Sequence, residues 1–248
     1  ESDVVGQVNM IEDQINKGIS ALVVAPSQPD AAIAAFNKAK AKNIPVVLID
    51  TDAKWDGKTS FLGTGNKNAG KLAGEYLAKA LAKGDKVAII RGQMGDPTHD
   101  ARESGAKEAL TAAGLTVAVV QPADSDTNKA MTVTENILQA NKDIKGIYAT
   151  SDDMAMGVAR AVKALKLEGK ILVMGFDGSP NGLKATKEGS FVGTVAQQPY
   201  QMGYMGVETA VKAVKGEKVE KAIDTGAAVI DAKNVDEAQK KMDEILKK

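Results

Sequence analysis

Short apolar runs alternate along the chain with longer stretches whose apolar positions recur every three or four residues. The runs read as buried strands and the longer stretches as helices with one inward face. Val4, Val5, Val8, Ile11 and Ile15 have helical spacing and stop at Gly18, a suitable residue just past a helix end. Ala21–Ala25 is a strand, Pro29–Lys42 an alanine-rich helix, Pro45–Ile49 a strand, and Ser60–Gly63 a short one. A helix follows from Asn66 to about Lys83, then a strand Val87–Ile90, a loop through Pro97 and a helix from about His99 to Ala113. Strand Leu115–Val120, a helix to about Asn141, strand Ile144–Ala149 and a helix to about Leu165 continue the alternation. Ile171–Met174 is a strand broken by Gly175-Phe176-Asp177-Gly178, with Ser179 and Pro180 placed to cap and begin a short helix. Strand Phe191–Ala196, a helix to about Lys215, a strand near Ala227–Ile230 and a helix from about Val235 complete the pattern. Strands alternating with helices of this length predict an α/β chain built of βαβ units, with mainly parallel sheets.

Polar residues follow these strands directly, at Ser27, Asp50, Gln93, Asp124, Ser151, Asp177 and Gln197. Any one of them can be explained as the start of a loop or a helix cap. Together they form a series of hydroxyls, amides and carboxylates at strand ends, where open parallel sheets bind ligands. Such a rim suits a ligand rich in hydroxyl groups, because carboxylates and amides pair with neighbouring OH groups.

Composition narrows the partner. The 248 residues carry 32 Lys+Arg against 32 Asp+Glu, so no basic field favours nucleic acid or an anionic membrane. Cysteine is absent, which excludes disulfides, Cys-ligated zinc and thiol nucleophiles. No apolar run reaches the ~18 residues of a membrane span.

Catalytic patterns fail in turn. The one histidine, His99, lies beside Asp100, and neighbours on a helix point apart; no Ser sits in a G-x-S-x-G setting. His99 is therefore read as a solvated or cap-region residue, and no enzyme activity is expected. Asp50-Thr51-Asp52 begins like a calcium loop, but Lys54 and Trp55 stand where an oxygen ligand and a glycine belong. Gly65–Lys71 fits the phosphate-loop spacing, yet Leu72 replaces the magnesium-binding hydroxyl, and Asn68 breaks the dinucleotide fingerprint that Gly63 and Gly65 begin. Neither a metal nor a cofactor is expected.

Four ordered segments, PADSDTNKA (122–130), IYATSDDMAMGVARAV (147–162), VMGFDGSPNG (173–182) and VGTVAQQPYQMG (192–203), strongly resemble the ribose- and allose-binding group of periplasmic sugar-binding proteins. That fold is shared with the effector cores of lactose-repressor-type regulators. The resemblance extends from Glu1 to about Asn234 and implies two doubly wound parallel-sheet lobes joined by three crossovers, with a ligand cleft between them that closes by a hinge. The first lobe is expected over 1–64 plus 198–226 and the second over 65–197 plus 227–248. The resemblance implies ligand-binding roles for Asp50, Thr64, Arg102, Ser125, Ser151, Asp177 and Gln197. Arginine offers a rigid fork of donors, and the two carboxylates accept from adjacent hydroxyls. The alternative for Arg102 and Asp177 is a mutual ion pair across the cleft.

The sequence departs from the family pattern where Thr51 replaces an arginine, Ser151 replaces Asn, and Ser125 replaces an aromatic that stacks on a pyranose face. These departures argue against a standard pyranose and bring in a polyol, a furanose or another small polar ligand. Trp55 is assigned to packing its loop rather than to replacing that aromatic. The family also begins with a strand, a helix and a strand ahead of the helix that here starts near Val4, a unit of roughly 30 residues or more. The first lobe is accordingly expected to be incomplete at its amino terminus, with an unpaired strand edge.

The implied function is that of a solute-binding protein delivering a small sugar or polyol to an ABC-type permease, with a chemoreceptor as a second partner. It would act as a monomer, periplasmic or extracellular, free or lipid-anchored. The alternative is the effector core of a transcription regulator without its DNA-binding domain.

Overall fold

The computed structural model describes residues 3–247. In chain order the elements are α1 (Val4–Asn16), β1 (Leu22–Val24), α2 (Pro29–Ala41), β2 (Val46–Ile49), β3 (Ser60–Gly63), α3 (Asn66–Lys79), β4 (Lys86–Arg91), α4 (Pro97–Ala112), β5 (Thr116–Pro122) and α5 (Thr127–Ala140). Then come β6 (Ile144–Ala149), α6 (Asp152–Ala164), β7 (Leu172–Asp177), α7 (Pro180–Lys187), β8 (Gly193–Ala196), α8 (Pro199–Val214), β9 (Ala222–Asp224), β10 (Ala228–Ile230) and α9 (Val235–Leu246). Contacts divide the chain into two compact units, one of residues up to Thr64 with Gln198–Gly226, the other of Gly65–Gln197 with the residues from Ala227 on. The chain passes from one unit to the other three times.

The smaller unit holds a four-stranded parallel sheet in the order β1-β2-β3-β9. Helices α1 and α2 cover one face, where Ile11, Ile15, Phe36, Val46 and Leu48 are buried together. Helix α8 contributes Ala210 to a smaller cluster with Val47 and Leu62. The alternation Val46/Val47/Leu48 thus sends successive side chains to opposite faces, as a pleated strand requires. Trp55 packs as expected: it is buried, donates from Nε1 to Asn37 Oδ1 at 2.8 Å, and its ring lies 5.4 Å from that of Phe36.

The larger unit holds a six-stranded sheet in the order β10-β8-β7-β6-β4-β5, parallel except that β10 runs antiparallel to β8. Both faces are covered, so its strands are apolar on both sides. On β4, Val87 and Ile89 join Leu77, Leu110 and Phe176 on the α3 and α4 side, while Ala88 and Ile90 join Ile137, Val158 and Val173 on the α5 and α6 side. At about 1.5–3 kcal/mol for each large apolar side chain removed from water, these two clusters dominate the unit's cohesion.

Several boundaries differ from the sequence expectations. Strand β7 runs on to Asp177 instead of stopping at Met174, because Gly175 and Phe176 still pair with Thr194 and Val195 of β8. Helix α4 begins at Pro97, two residues earlier than expected, because Asp96 accepts from the Thr98 and His99 amides and makes Pro97 the first helical residue. Helix α3 ends at Lys79, short of Lys83, where the Ala82 amide is taken by Asp85 Oδ2 at 2.9 Å. Strand β9 was not anticipated; at three residues with only Ile223 half-buried, it has no apolar run to betray it.

Two local features fix the upper end of the larger unit. Helices α3 and α4 touch backbone to backbone: a Cβ on Gly105 would overlap the Lys67 carbonyl oxygen, and one on Gly70 the Arg102 carbonyl oxygen. The second feature is Asp152, fully buried, which accepts from Thr194 Oγ1 at 2.7 Å and from the Ser179 amide at 2.8 Å. It thereby ties α6 to β8 and to the start of α7. Burial, and then repulsion from Asp177, push its carboxyl up to about 7 against these two hydrogen bonds.

Gly105→Ala is expected to lower Tm. The methyl gains about 1 kcal/mol of helix propensity but meets a backbone oxygen that cannot rotate away, an overpacking cost of about 1–3 kcal/mol beyond that gain. A scanning calorimeter should show a fall of about 3–8 °C. For Asp152 the native state holds its proton more tightly than the unfolded chain, so its contribution to stability falls as pH rises from about 4 to about 8. The difference in Tm between wild type and Asp152→Asn should therefore shift against wild type over that interval. A constant difference would contradict the assignment.

Candidate functional site

The carboxyl end of β7 supplies the first functional group. Asp177 is its last residue and has φ +123°, a conformation that a side chain with a Cβ rarely adopts. The strain is held in place by its neighbours. Oδ1 accepts from Gln197 Nε2 at 2.8 Å and lies 3.4 Å from Arg102 Nη1, and Oδ2 accepts from the Asp152 amide at 3.3 Å. Burial raises the Asp177 carboxyl above the usual carboxylate range, while Arg102, the Asp152 amide and Gln197 hold it down.

Arg102 faces Asp177 from α4. It is buried, with its guanidinium carbon 3.8 Å from the centre of the Phe176 ring. Nε donates to Asn66 Oδ1 at 2.8 Å and Nη1 to the Thr150 carbonyl at 3.0 Å. Among the described residues Nη2 makes no hydrogen bond. The ion pair with Asp177 exists, but both residues belong to the larger unit, so it is not the contact across a cleft that the sequence suggested.

Beside this cluster, Ser125 lies in a turn closed by the Asp126 amide donating to the Ala123 carbonyl at 2.9 Å, with both Asp124 and Ser125 at positive φ. Ser125 is exposed, and its Oγ is 3.2 Å from His99 Nε2. The other ring nitrogen, Nδ1, is 2.8 Å from Thr150 Oγ1. His99 is half-buried in the first turn of α4, with its amide on the Asp96 cap, which agrees with the cap-region alternative of its sequence reading and not with a solvated one. Burial, then Arg102, with Arg91 acting the same way, pull its pKa down to about 4 against Asp96 and Asp100. Ser151, buried at the start of α6, caps that helix, with Oγ 3.4 Å from the Met154 amide.

The two remaining candidates lie in the smaller unit. Asp50 follows β2, exposed and at φ +62°, with Oδ2 accepting from Thr51 Oγ1 at 3.1 Å. Thr64 follows β3 and is buried. In the larger unit, then, the fold brings Arg102, Asp177 and Gln197 into one cluster and places Ser125 on the same strand-end rim through His99 and Thr150.

Four participants escaped the sequence reading. Asn66, Thr150 and Asp152 lie in segments already quoted, 65–71 and 147–162, but nothing in the sequence singled them out. His99 had a usable signal, because Asp96-Pro97 is a helix start that puts His99 in the first turn of α4, one turn before Arg102. Behind them Arg91, the last residue of β4, is buried and paired with Asp100 at 2.5 Å and Glu103 at 2.6 Å, bracing α4 against β4.

This chain matches the periplasmic binding protein domain over residues 1–218. It is 38% identical over 230 residues to the ribose import binding protein of Haemophilus influenzae, covering 93% of this chain and 78% of that protein. A solute-binding protein of an ABC transporter from Actinobacillus succinogenes, solved with bound D-allose, superposes with a TM-score of 0.90 at 31% identity, covering 94% of this chain and 86% of that one. A solute-binding protein from Bacillus halodurans with bound myo-inositol gives 0.88 at 29% identity, covering 96% and 84%. A parallel-sheet architecture with polar groups at the strand ends, a domain match over most of the chain and a relative at this identity leave one conclusion: the chain belongs to the periplasmic binding protein family.

Proposed function

We propose that the chain is the solute-binding component of an ABC-type importer and takes a small sugar or polyol at the strand-end rim. The observation that carries the reading is the Arg102–Asp177–Gln197 cluster: a donor fork, a carboxylate acceptor and an amide, hydrogen-bonded to one another. A vicinal diol needs that combination, because one hydroxyl donates to the carboxylate while its neighbour accepts from the guanidinium. The larger unit contributes Arg102, Ser125, Ser151, Asp177 and Gln197, and Asp50 and Thr64 are assigned the same role on the smaller one. The import-binding name of the Haemophilus relative favours this reading over the effector core of a regulator. It also favours a periplasmic or extracellular location and a permease as partner. The allose and myo-inositol complexes of the two structural relatives support a ring of hydroxyls as the ligand class.

A thermal-shift screen with D-ribose, D-allose, D-arabinose and myo-inositol tests the proposal, because a ligand that binds only the native state raises Tm by mass action. At least one should produce a shift. Asp177→Ala should weaken that ligand by about 10- to 100-fold, the worth of one or two hydrogen bonds to a charged group. No shift with any of the four, in a chain that melts cooperatively, would count against the reading. Asp177→Gly separates binding from strain: it should bind as poorly as Asp177→Ala yet be more stable than that variant by about 1 kcal/mol, since glycine accepts the positive φ.

A further inference from the structure

The rim contains a hydrogen-bond relay whose direction can be worked out from burial. Thr150 is fully buried, and among the described residues its hydroxyl has one hydrogen-bond partner, His99 Nδ1. If Nδ1 carried the proton, the Thr150 hydroxyl would accept from it and its own hydrogen would be left buried without an acceptor. Leaving such a donor unpaired costs about 1–3 kcal/mol, whereas an unused lone pair on a hydroxyl costs far less. The Thr150 hydroxyl therefore donates to Nδ1. In a neutral imidazole the proton then resides on Nε2, which donates to Ser125 Oγ at 3.2 Å.

We infer that His99 is a positioning residue: as the Nε2–H tautomer it holds Ser125 Oγ as an acceptor and leaves the Ser125 hydroxyl hydrogen free to donate to a ligand oxygen. This rests on the ligand reading proposed above and deepens it, adding a donor specified by the protein to the Arg102–Asp177–Gln197 cluster. Three features support the role. Ser125 sits at φ +59°, a conformation that needs tertiary support, and its imidazole contact supplies some. The imidazole packs closely against Gly92, where a Cβ would overlap the ring, so its position leaves little latitude. Thr150 also links the relay to the cluster, because its carbonyl accepts from Arg102 Nη1 while its hydroxyl donates to His99. The charged groups that face the ring are Asp96, Asp100 and Arg102 from α4 and its cap, and Arg91 from β4.

With a single histidine in the chain, nitrogen NMR of 15N-histidine-labelled protein reports on His99 alone. At neutral pH the spectrum should show Nε2 protonated and Nδ1 as an unprotonated acceptor. Ser125→Ala should move the Nε2 resonance while leaving the tautomer unchanged, and Thr150→Val should release the tautomer toward a mixture. Nδ1 protonated, or a ring that titrates in the ordinary histidine range, would overturn the inference without recourse to any ligand. Binding of the sugar that gives the largest thermal shift is then compared among variants whose Tm shows that they are folded. Ser125→Ala and His99→Leu should each weaken it by about 2- to 10-fold, the worth of one neutral hydrogen bond. His99→Gln, which restores an N–H near Nε2, should recover most of the loss. Equal affinity in wild type, Ser125→Ala and His99→Leu would overturn the positioning role. If none of the four sugars binds while the tautomer is as stated, the sugar reading and the ligand half of the inference both fall, and the Nε2–H assignment stands.

Discussion

A buried cation governs the upper end of the larger unit. Removing a guanidinium from water costs several kcal/mol unless acceptors replace the lost solvent, and Arg102 finds them in Asn66, the Thr150 carbonyl and Asp177, over the ring of Phe176. Asn66 comes from α3, Thr150 directly follows β6 and Asp177 ends β7, so the demand of one charge ties these three places together. The glycine contacts between α3 and α4 serve the same end. With Gly70 against the Arg102 carbonyl and Gly105 against that of Lys67, α4 cannot slide along α3 without a backbone clash. Arg91, with Asp100 and Glu103, fixes the first turns of the same helix to β4.

The rim that results is rigid where it must recognise and strained where it must present. Asp177 is held at positive φ by hydrogen bonds to both of its carboxylate oxygens, and the turn carrying Ser125 has two successive residues at positive φ. Such strain persists only where the surroundings over-determine the conformation. Groups that orient one another in this way lower the side-chain ordering that binding requires. Burial pushes the Asp177 carboxyl up, and Arg102, the Asp152 amide and Gln197 oppose that rise by favouring the charged form. A ligand that donates hydroxyl hydrogens to Asp177 would reinforce the same balance.

Much of this architecture is legible in the sequence because periodicity is a local property. The alternation of apolar runs with helical spacing locates strands such as Ile144–Ala149 and helices such as that from Pro180, since the side chains that mark them face cores on one or two sides. The polar residue after each strand is also legible, which is how Asp177 and Gln197 were found. What could not be read depends on tertiary context. Strand β9 is too short to show an apolar run, and Gly175 and Phe176 look like a break until the β8 partner is seen. Asn66 and Thr150 are ordinary polar residues whose contacts with Arg102 and His99 appear only in the folded chain. The side-chain contacts of His99 have the same origin: they are made with Ser125 and Thr150, residues 26 and 51 positions away in the chain.

The most direct measurement is titration calorimetry of wild type and Arg102→Lys with D-ribose, D-allose, D-arabinose and myo-inositol. Lysine keeps the charge but loses the planar fork that reaches Asn66, Thr150 and Asp177 at once. The account predicts that wild type binds at least one of these ligands at one site per chain and that Arg102→Lys, though folded, binds it about 10- to 100-fold more weakly, the loss of one charge-assisted hydrogen bond to a ligand hydroxyl. Unchanged affinity in Arg102→Lys, or no binding of any of the four by wild type, would contradict it.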